Sequence, residues 1–140
     1  MIKHLLSKST NVPALLKSLD AGMLRSRVIA NNVANVTTPE YKRVEVRFEE
    51  SLRHALDKNR IKGTMTDSKH MPIGRKDINR VNPEAYKPVD PTLPSGVNNV
   101  DIDIEMSKLA ENQLIYNMGL TFLRGAYQKL NAAVQAKSIT

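Results

Sequence analysis

The side chains able to do chemistry in this chain are few and scattered. His4, His54 and His70 stand far apart, and no two share the spacing that puts metal ligands on one helix face. Cysteine is absent, which removes thiolate zinc sites, iron–sulfur clusters, disulfides and cysteine nucleophiles. Asp101, Asp103 and Glu105 alternate as at the start of a calcium loop. The position that needs glycine is Met106, however, and the one that needs a bidentate glutamate is Asn112. Acids in the first turn of a helix explain them instead. Gly63-Thr64 and Gly74-Arg75-Lys76 lack the spacing and the closing Lys-Ser/Thr pair of a phosphate loop. Glu49 and Glu50 adjoin, but nothing apolar is arranged to raise a carboxyl pKa for acid–base work, so they read as a solvated helix face. The expectation is of no enzyme, with no catalytic, cofactor-binding or metal-binding residue and no cofactor.

One polar segment resists a bland reading: Ala30 to Arg43, ANNVANVTTPEYKR. Asn31, Asn32 and Asn35 are poor helix formers, yet they fall in what periodicity makes the last turns of a helix. Asparagine side chains there can bond backbone groups that are freed as a helix ends. On physics alone a generic polar helix terminus accounts for the segment as well as a special role does.

The elements that must hold this segment are two long helices. Val12, Leu15, Leu19, Gly22, Ser26, Ile29, Val33 and Val36 recur at alternating spacings of three and four, which predicts a helix over about 11–36. Asn11 is placed to cap it, Pro13 suits its first turn, and Pro39 stops it by pushing Thr38 out of the helical region. Ile102, Met106, Leu109, Gln113, Tyr116, Leu120, Leu123, Tyr127, Leu130 and Val134 repeat the rhythm over about 101–137. Asp101, Asp103 and Glu105 lead this second helix and Arg124, Lys129 and Lys137 close it, an order that complements the helix dipole.

Between the helices, residues 39–100 hold six of the seven prolines. Lys42 to Phe48 alternates, with Val44, Val46 and Phe48 on one side of a short strand. Phe48, Leu52, Ala55 and Leu56 then predict a short helix ending near Asn59. From Ile61 to Asn99 only fragments and turn signals at Gly63, Gly74 and Gly96 are legible, so the stretch is expected to pack against a partner or stay mobile.

The 140 residues suffice for one ordinary domain. The predicted fold is mainly α: two long terminal helices paired as an antiparallel, coiled-coil-like hairpin, with an irregular, partly β middle emerging at one end. Gly22 and Ser26 would let the partner helix come close, and Gln113 is a polar intrusion that sets register. Leu16, Met23, Leu114, Ile115, Met118 and Phe122 stay uncovered in such a hairpin, which calls for further helices. The net charge of +7 is spread thinly, and Lys42, Arg43 and Arg47 alternate with Glu45, Glu49 and Glu50, so nucleic-acid binding is disfavoured. No stretch approaches the ~20 apolar residues of a membrane span, and Met1 to Thr10 lacks the apolar run of a cleavable secretory signal.

Ala30, Asn31, Asn32, Val33, Ala34, Asn35, Thr38, Pro39 and Tyr41 resemble the N-terminal signature of bacterial flagellar axial proteins, except that Glu40 stands where glycine is usual. Val100 to Leu123, Thr66 to Pro72 and Val89 to Gly96 are similar to the FlgB-type proximal rod proteins, with the FlgC type as the main competitor. The resemblance implies a structural subunit of the proximal rod of the flagellar basal body, in the hollow drive shaft that transmits torque. It implies export by the flagellar type III apparatus without a cleaved signal. Expected partners are copies of itself, rod proteins of the FlgC and FlgF types, the FliE adaptor and the MS ring, with no nucleic acid and no direct membrane span. It further implies an axial helical domain from 1–38 and 101–140, with 39–100 as the segment between. Leu15, Leu19, Ile29, Val33, Leu109, Tyr116, Leu120, Leu123, Tyr127 and Leu130 are its expected assembly seam. A helical adaptor or chaperone outside the flagellum is the alternative from another class.

Overall fold

The computed structural model describes residues 12–57, 63, 67, 77–89 and 98–137. The expected Asn11 cap, His4, His70, the turns at Gly74 and Gly96, and most of the stretch from 61 to 99 lie outside the described residues. In chain order the elements are α1 (Val12–Ala34), β1 (Glu45–Arg47), α2 (Glu49–Leu56), a 3-10 turn (Ile78–Arg80), β2 (Glu84–Tyr86) and α3 (Ile102–Lys137). At 1.5 Å per residue α1 runs ~35 Å and α3 ~54 Å. The two helices pack antiparallel. Asn32 near the end of α1 meets Glu105 at the start of α3, and earlier along α1 Gly22 lies against Tyr116 and Leu19 against Gly119.

The two helix termini that meet at one end of this hairpin have local causes. Asp101 caps α3, its Oδ1 accepting the backbone N–H of Asp103 (2.9 Å) and of Ile104 (3.2 Å), so the acid that opens the calcium-like pattern is a helix cap. Beside it α1 unwinds through Asn35 N–H to Asn31 C=O and Thr38 N–H to Asn35 C=O. The Tyr41 N–H then reaches Thr38 C=O across Pro39 and Glu40. Glu40 sits at φ 61°, the sole positive-φ non-glycine among the described residues. With proline second and a positive φ third, this is the arrangement of a type II turn. The turn therefore keeps its left-handed residue although the side chain is not glycine. An L-residue there is penalised by about 1–2 kcal/mol, which glycine avoids at some entropic loss. Glu40→Gly is expected to stabilise the chain by about 0.5–1 kcal/mol, seen as a higher urea midpoint at unchanged slope; an unchanged or lower midpoint would contradict it.

The middle of the chain differs from expectation in two respects. Its described part does not emerge at one end of the hairpin but lies along the flank of α1. The reason is a small core of its own, Ala21 of α1 with Phe48, Ala55 and Val81, flanked by Leu52 and Ile78. The stretch read as fragments also supplies a strand. β2 pairs antiparallel with β1 in the register Glu45–Tyr86, Val46–Ala85 and Arg47–Glu84, and Lys17 Nζ donates to Asn82 Oδ1 at 2.9 Å. A three-residue strand between Pro83 and Pro88 has no periodicity to read; pairing alone defines it.

Candidate functional site

The Asn-rich end of α1 is where the described elements meet. Asn32 is 1% exposed, because β1 approaches from one side and α3 from another. Its Nδ2 donates to Val44 C=O (2.8 Å) and to Glu105 Oε2 (2.9 Å), and its Oδ1 accepts from Val44 N–H (3.0 Å) and Tyr41 O–H (3.0 Å). All four capacities of the amide are used, so a buried polar group carries no desolvation deficit. Asn35 works locally: its Nδ2 donates to Asn31 C=O and its Oδ1 accepts from Thr38 Oγ1. From the far side of the chain Asn98 Nδ2 reaches the carbonyls of Asn35, Val36 and Thr38, and Asn99 Oδ1 accepts from Arg43 N–H at 2.7 Å. The carbonyls freed as α1 ends are thus satisfied by the residues that lead into α3. Of the signature positions, Asn32 is buried, Asn35 and Tyr41 are half-buried, and Ala30, Asn31, Ala34, Thr38 and Pro39 are exposed.

Further along the hairpin the polar residue on the α3 seam is Asn112, not Gln113, which is exposed. Asn112 Nδ2 donates to Gly22 C=O (2.9 Å) and Ser26 Oγ (2.8 Å). A Cβ on Gly22 would come within 3.1 Å of Tyr116, and one on Gly119 within 3.1 Å of Leu19, so these small residues set how closely the helices approach. Of the expected row on α3, Leu109, Tyr116, Leu123 and Leu130 are half-buried. Between them, Glu105, Asn112, Gly119 and Ala126 face inward in place of Met106, Gln113, Leu120 and Tyr127. On α1, Leu19 and Ile29 are buried and Leu15 and Val33 half-buried. Leu120 and Tyr127 are 40% and 47% exposed. Apolar side chains cover so much of the circumference of α3 that its periodicity did not resolve the phase; the small and polar residues facing Gly22 and Ser26 were the available signal.

Several charged residues of the middle are paired within it or with the two long helices. Arg43 (3.1 Å) and Lys108 (3.0 Å) converge on Glu45, Arg47 stacks over the Tyr86 ring, and Arg25 pairs with Glu49. Glu49 is therefore an ion-pair partner rather than a purely solvated residue. Burial by itself raises the Glu45 carboxyl; hydrogen bonds from Lys108 and Tyr86 and the charges of Lys108 and Arg43 outweigh it and hold the group below its ordinary range. A depressed folded-state pKa contributes stability above the unfolded value that is lost as pH falls through the folded one. Lys108→Met is accordingly expected to shrink the stability lost below the ordinary carboxylate range, measured as Tm against pH; an acid limb identical to the parent's would refute this.

Among the described residues no group of three His, Asp or Glu could hold a metal, and His54 is exposed beside Glu50. No described helix is long and apolar enough to cross a membrane. What the hairpin does present is uncovered apolar surface. Leu16, Met23, Leu114, Ile115, Met118 and Phe122 are all exposed, from 43% at Leu16 to 67% at Leu114. Ile115, Met118 and Phe122 flank an open groove between α1, α2 and α3.

No family model matches the chain. Individual proteins do. It is 34% identical over 116 residues to the flagellar basal body rod protein FlgB of Borreliella burgdorferi, covering 79% of this chain and 84% of that one. To the protein of the same name from Bacillus subtilis it is 30% identical, over 90% of this chain and 94% of that one. To that of Salmonella typhimurium it is 31% identical, over 76% and 80%.

Proposed function

The chain belongs to the FlgB family of flagellar basal body rod proteins, and from that membership we propose that it is a structural subunit of the proximal rod, of the FlgB rather than the FlgC type. The observation that carries the mechanism is the exposed apolar surface on both faces of a hairpin whose inner seam is already closed. Burying it between neighbours drives association, and mass action then stabilises each subunit in the polymer. Residues 1–38 and 101–140 form the axial helical domain that lines the shaft, and 39–100 fills the space at its flank. Torque is carried by many such contacts, and no catalysis is involved.

Within the expected seam the structure supports two roles. Leu15, Leu19, Ile29, Val33, Leu109, Tyr116, Leu123 and Leu130 hold α1 to α3, while Leu120 and Tyr127 face neighbouring subunits. The signature residues Ala30 to Tyr41 hold the hairpin's closed end in shape for packing. The neighbours are copies of itself, rod proteins of the FlgC and FlgF types, the FliE adaptor and the MS ring. The subunit reaches the rod, which crosses the periplasm, through the flagellar type III apparatus without a cleaved signal. Supplying this chain to cells that lack their FlgB protein tests the reading. Restored swimming, with α1 and α3 around a central channel in images of the basal body, is expected; basal bodies that form without incorporating the chain would overturn it.

A further inference from the structure

The outer face of α3 carries a row that reads the same from either end. Glu111, Ile115, Met118, Phe122, Gly125 and Lys129 follow one another at spacings of four, three, four, three and four residues, which keeps them on one side of the helix. The middle of the row is apolar and uncovered: Ile115, Met118 and Phe122 are 55%, 58% and 61% exposed. Its two ends are an acid and a base. Both are exposed, and neither has an ion pair among the described residues. Gly125 leaves a gap in the row, with no described atom within 4 Å of where a Cβ would stand. An exposed apolar strip of this kind, closed by opposite charges, has the form of an interaction surface.

We propose that this row docks against the same row of a second copy, the two α3 helices running antiparallel about a two-fold axis between Met118 and Phe122. In that arrangement the row complements itself at every layer. Glu111 meets Lys129 of the second copy, and symmetry makes that ion pair twice. Ile115 enters the gap at Gly125 of the second copy, large side chain against small. Met118 packs on the ring of Phe122 of the second copy, a sulfur–aromatic contact. Alternating steps of four and three are the spacing of a coiled-coil seam, and a surface that matches its own reversed copy is what a two-fold interface requires. A parallel pair in register would set Glu111 on Glu111 and Lys129 on Lys129, so charge selects the antiparallel form. Such a pair closes on itself. It covers the face in the unassembled chain and parts before a subunit joins a shaft built by repeating one directional contact. The pairing goes beyond the rod reading, and only its parting rests on that reading.

Sedimentation equilibrium of the full chain over a range of concentrations tests this, and a monomer–dimer equilibrium is expected. Glu111 and Lys129 are exposed, so Glu111→Lys and Lys129→Glu should keep the parent's circular dichroism. Each is expected to weaken pairing about tenfold, and the two together to restore it to within about threefold of the parent. The chain has no cysteine, so introduced thiols report the register. Ile115→Cys mixed with Gly125→Cys should form the mixed disulfide in preference to either like one. A dimer indifferent to the single charge changes, a predominant like disulfide at Ile115→Cys, or association that continues past the dimer would each overturn the pairing. So would a chain that stays monomeric. There, an Ile115→Cys thiol shielded from modification would assign the cover to the chain's own residues 1–11, and an open one to a different protein. None of these outcomes bears on the rod reading, which the complementation experiment decides separately.

Discussion

Asn32→Asp is expected to destabilise the chain by about 3–5 kcal/mol at neutral pH, the scale of breaking a buried charged or fully bonded group. The amide donates to Glu105 Oε2 at 2.9 Å and to Val44 C=O at 2.8 Å. A carboxylate in its place would set an acceptor against both. It would also put two negative charges at contact distance where Glu105 is 1% exposed. Each would raise the other's pKa. The folded variant then binds more protons than the unfolded one through the carboxylate range, so its stability relative to the parent recovers as pH falls. One shared proton recreates the missing donor. Asn32→Leu removes the donor without adding a charge and is expected to lose stability without that recovery. Urea unfolding at several pH values separates the two; an Asn32→Asp deficit that does not shrink on acidification would show that Glu105 is not its cause.

Leu120→Asp and Leu123→Asp stand three residues apart and are expected to abolish swimming for different reasons. Leu123 is half-buried on the inner seam, so aspartate there places a charge in the α1–α3 contact and costs about 2–3 kcal/mol in the isolated chain. Leu120 is 40% exposed. Aspartate at that position should leave the isolated chain within about 0.5 kcal/mol of the parent, as for ordinary surface changes, yet put an unpaired charge in the surface that subunits bury. Thermal melts of purified variants, set beside the swimming of complemented cells, check both. Normal motility with Leu120→Asp would show that this face is not covered in the rod.

How much was legible in advance depends on the distance over which each feature is decided. The end of the first helix ahead of Pro39, Asp101 beginning the last, and the uncovered Met23, Ile115 and Phe122 follow from spacing and capping over a few residues. The engaged role of Asn32 is visible only as an anomaly, an asparagine cluster where helix formers belong, because its four bonding groups arrive from Tyr41, Val44 and Glu105. Asn112 holds the seam position expected of Gln113. Apolar residues on either side of the row are nearly equal in weight, so the choice rests on small and polar residues of α1.

Sequence alone determined the two amphipathic helices, their approximate ends, and the signature that points to the flagellar rod. The tertiary structure decided which stripe of α3 turns inward, which segment pairs with β1, and what the asparagines hold. Periodicity is a property of one helix and is written along the chain at a spacing of three or four residues. The partner of a buried amide lies 73 positions away for Asn32 and Glu105 and 90 for Asn112 and Gly22, and hydrogen-bond geometry at that separation exists only once the chain has folded.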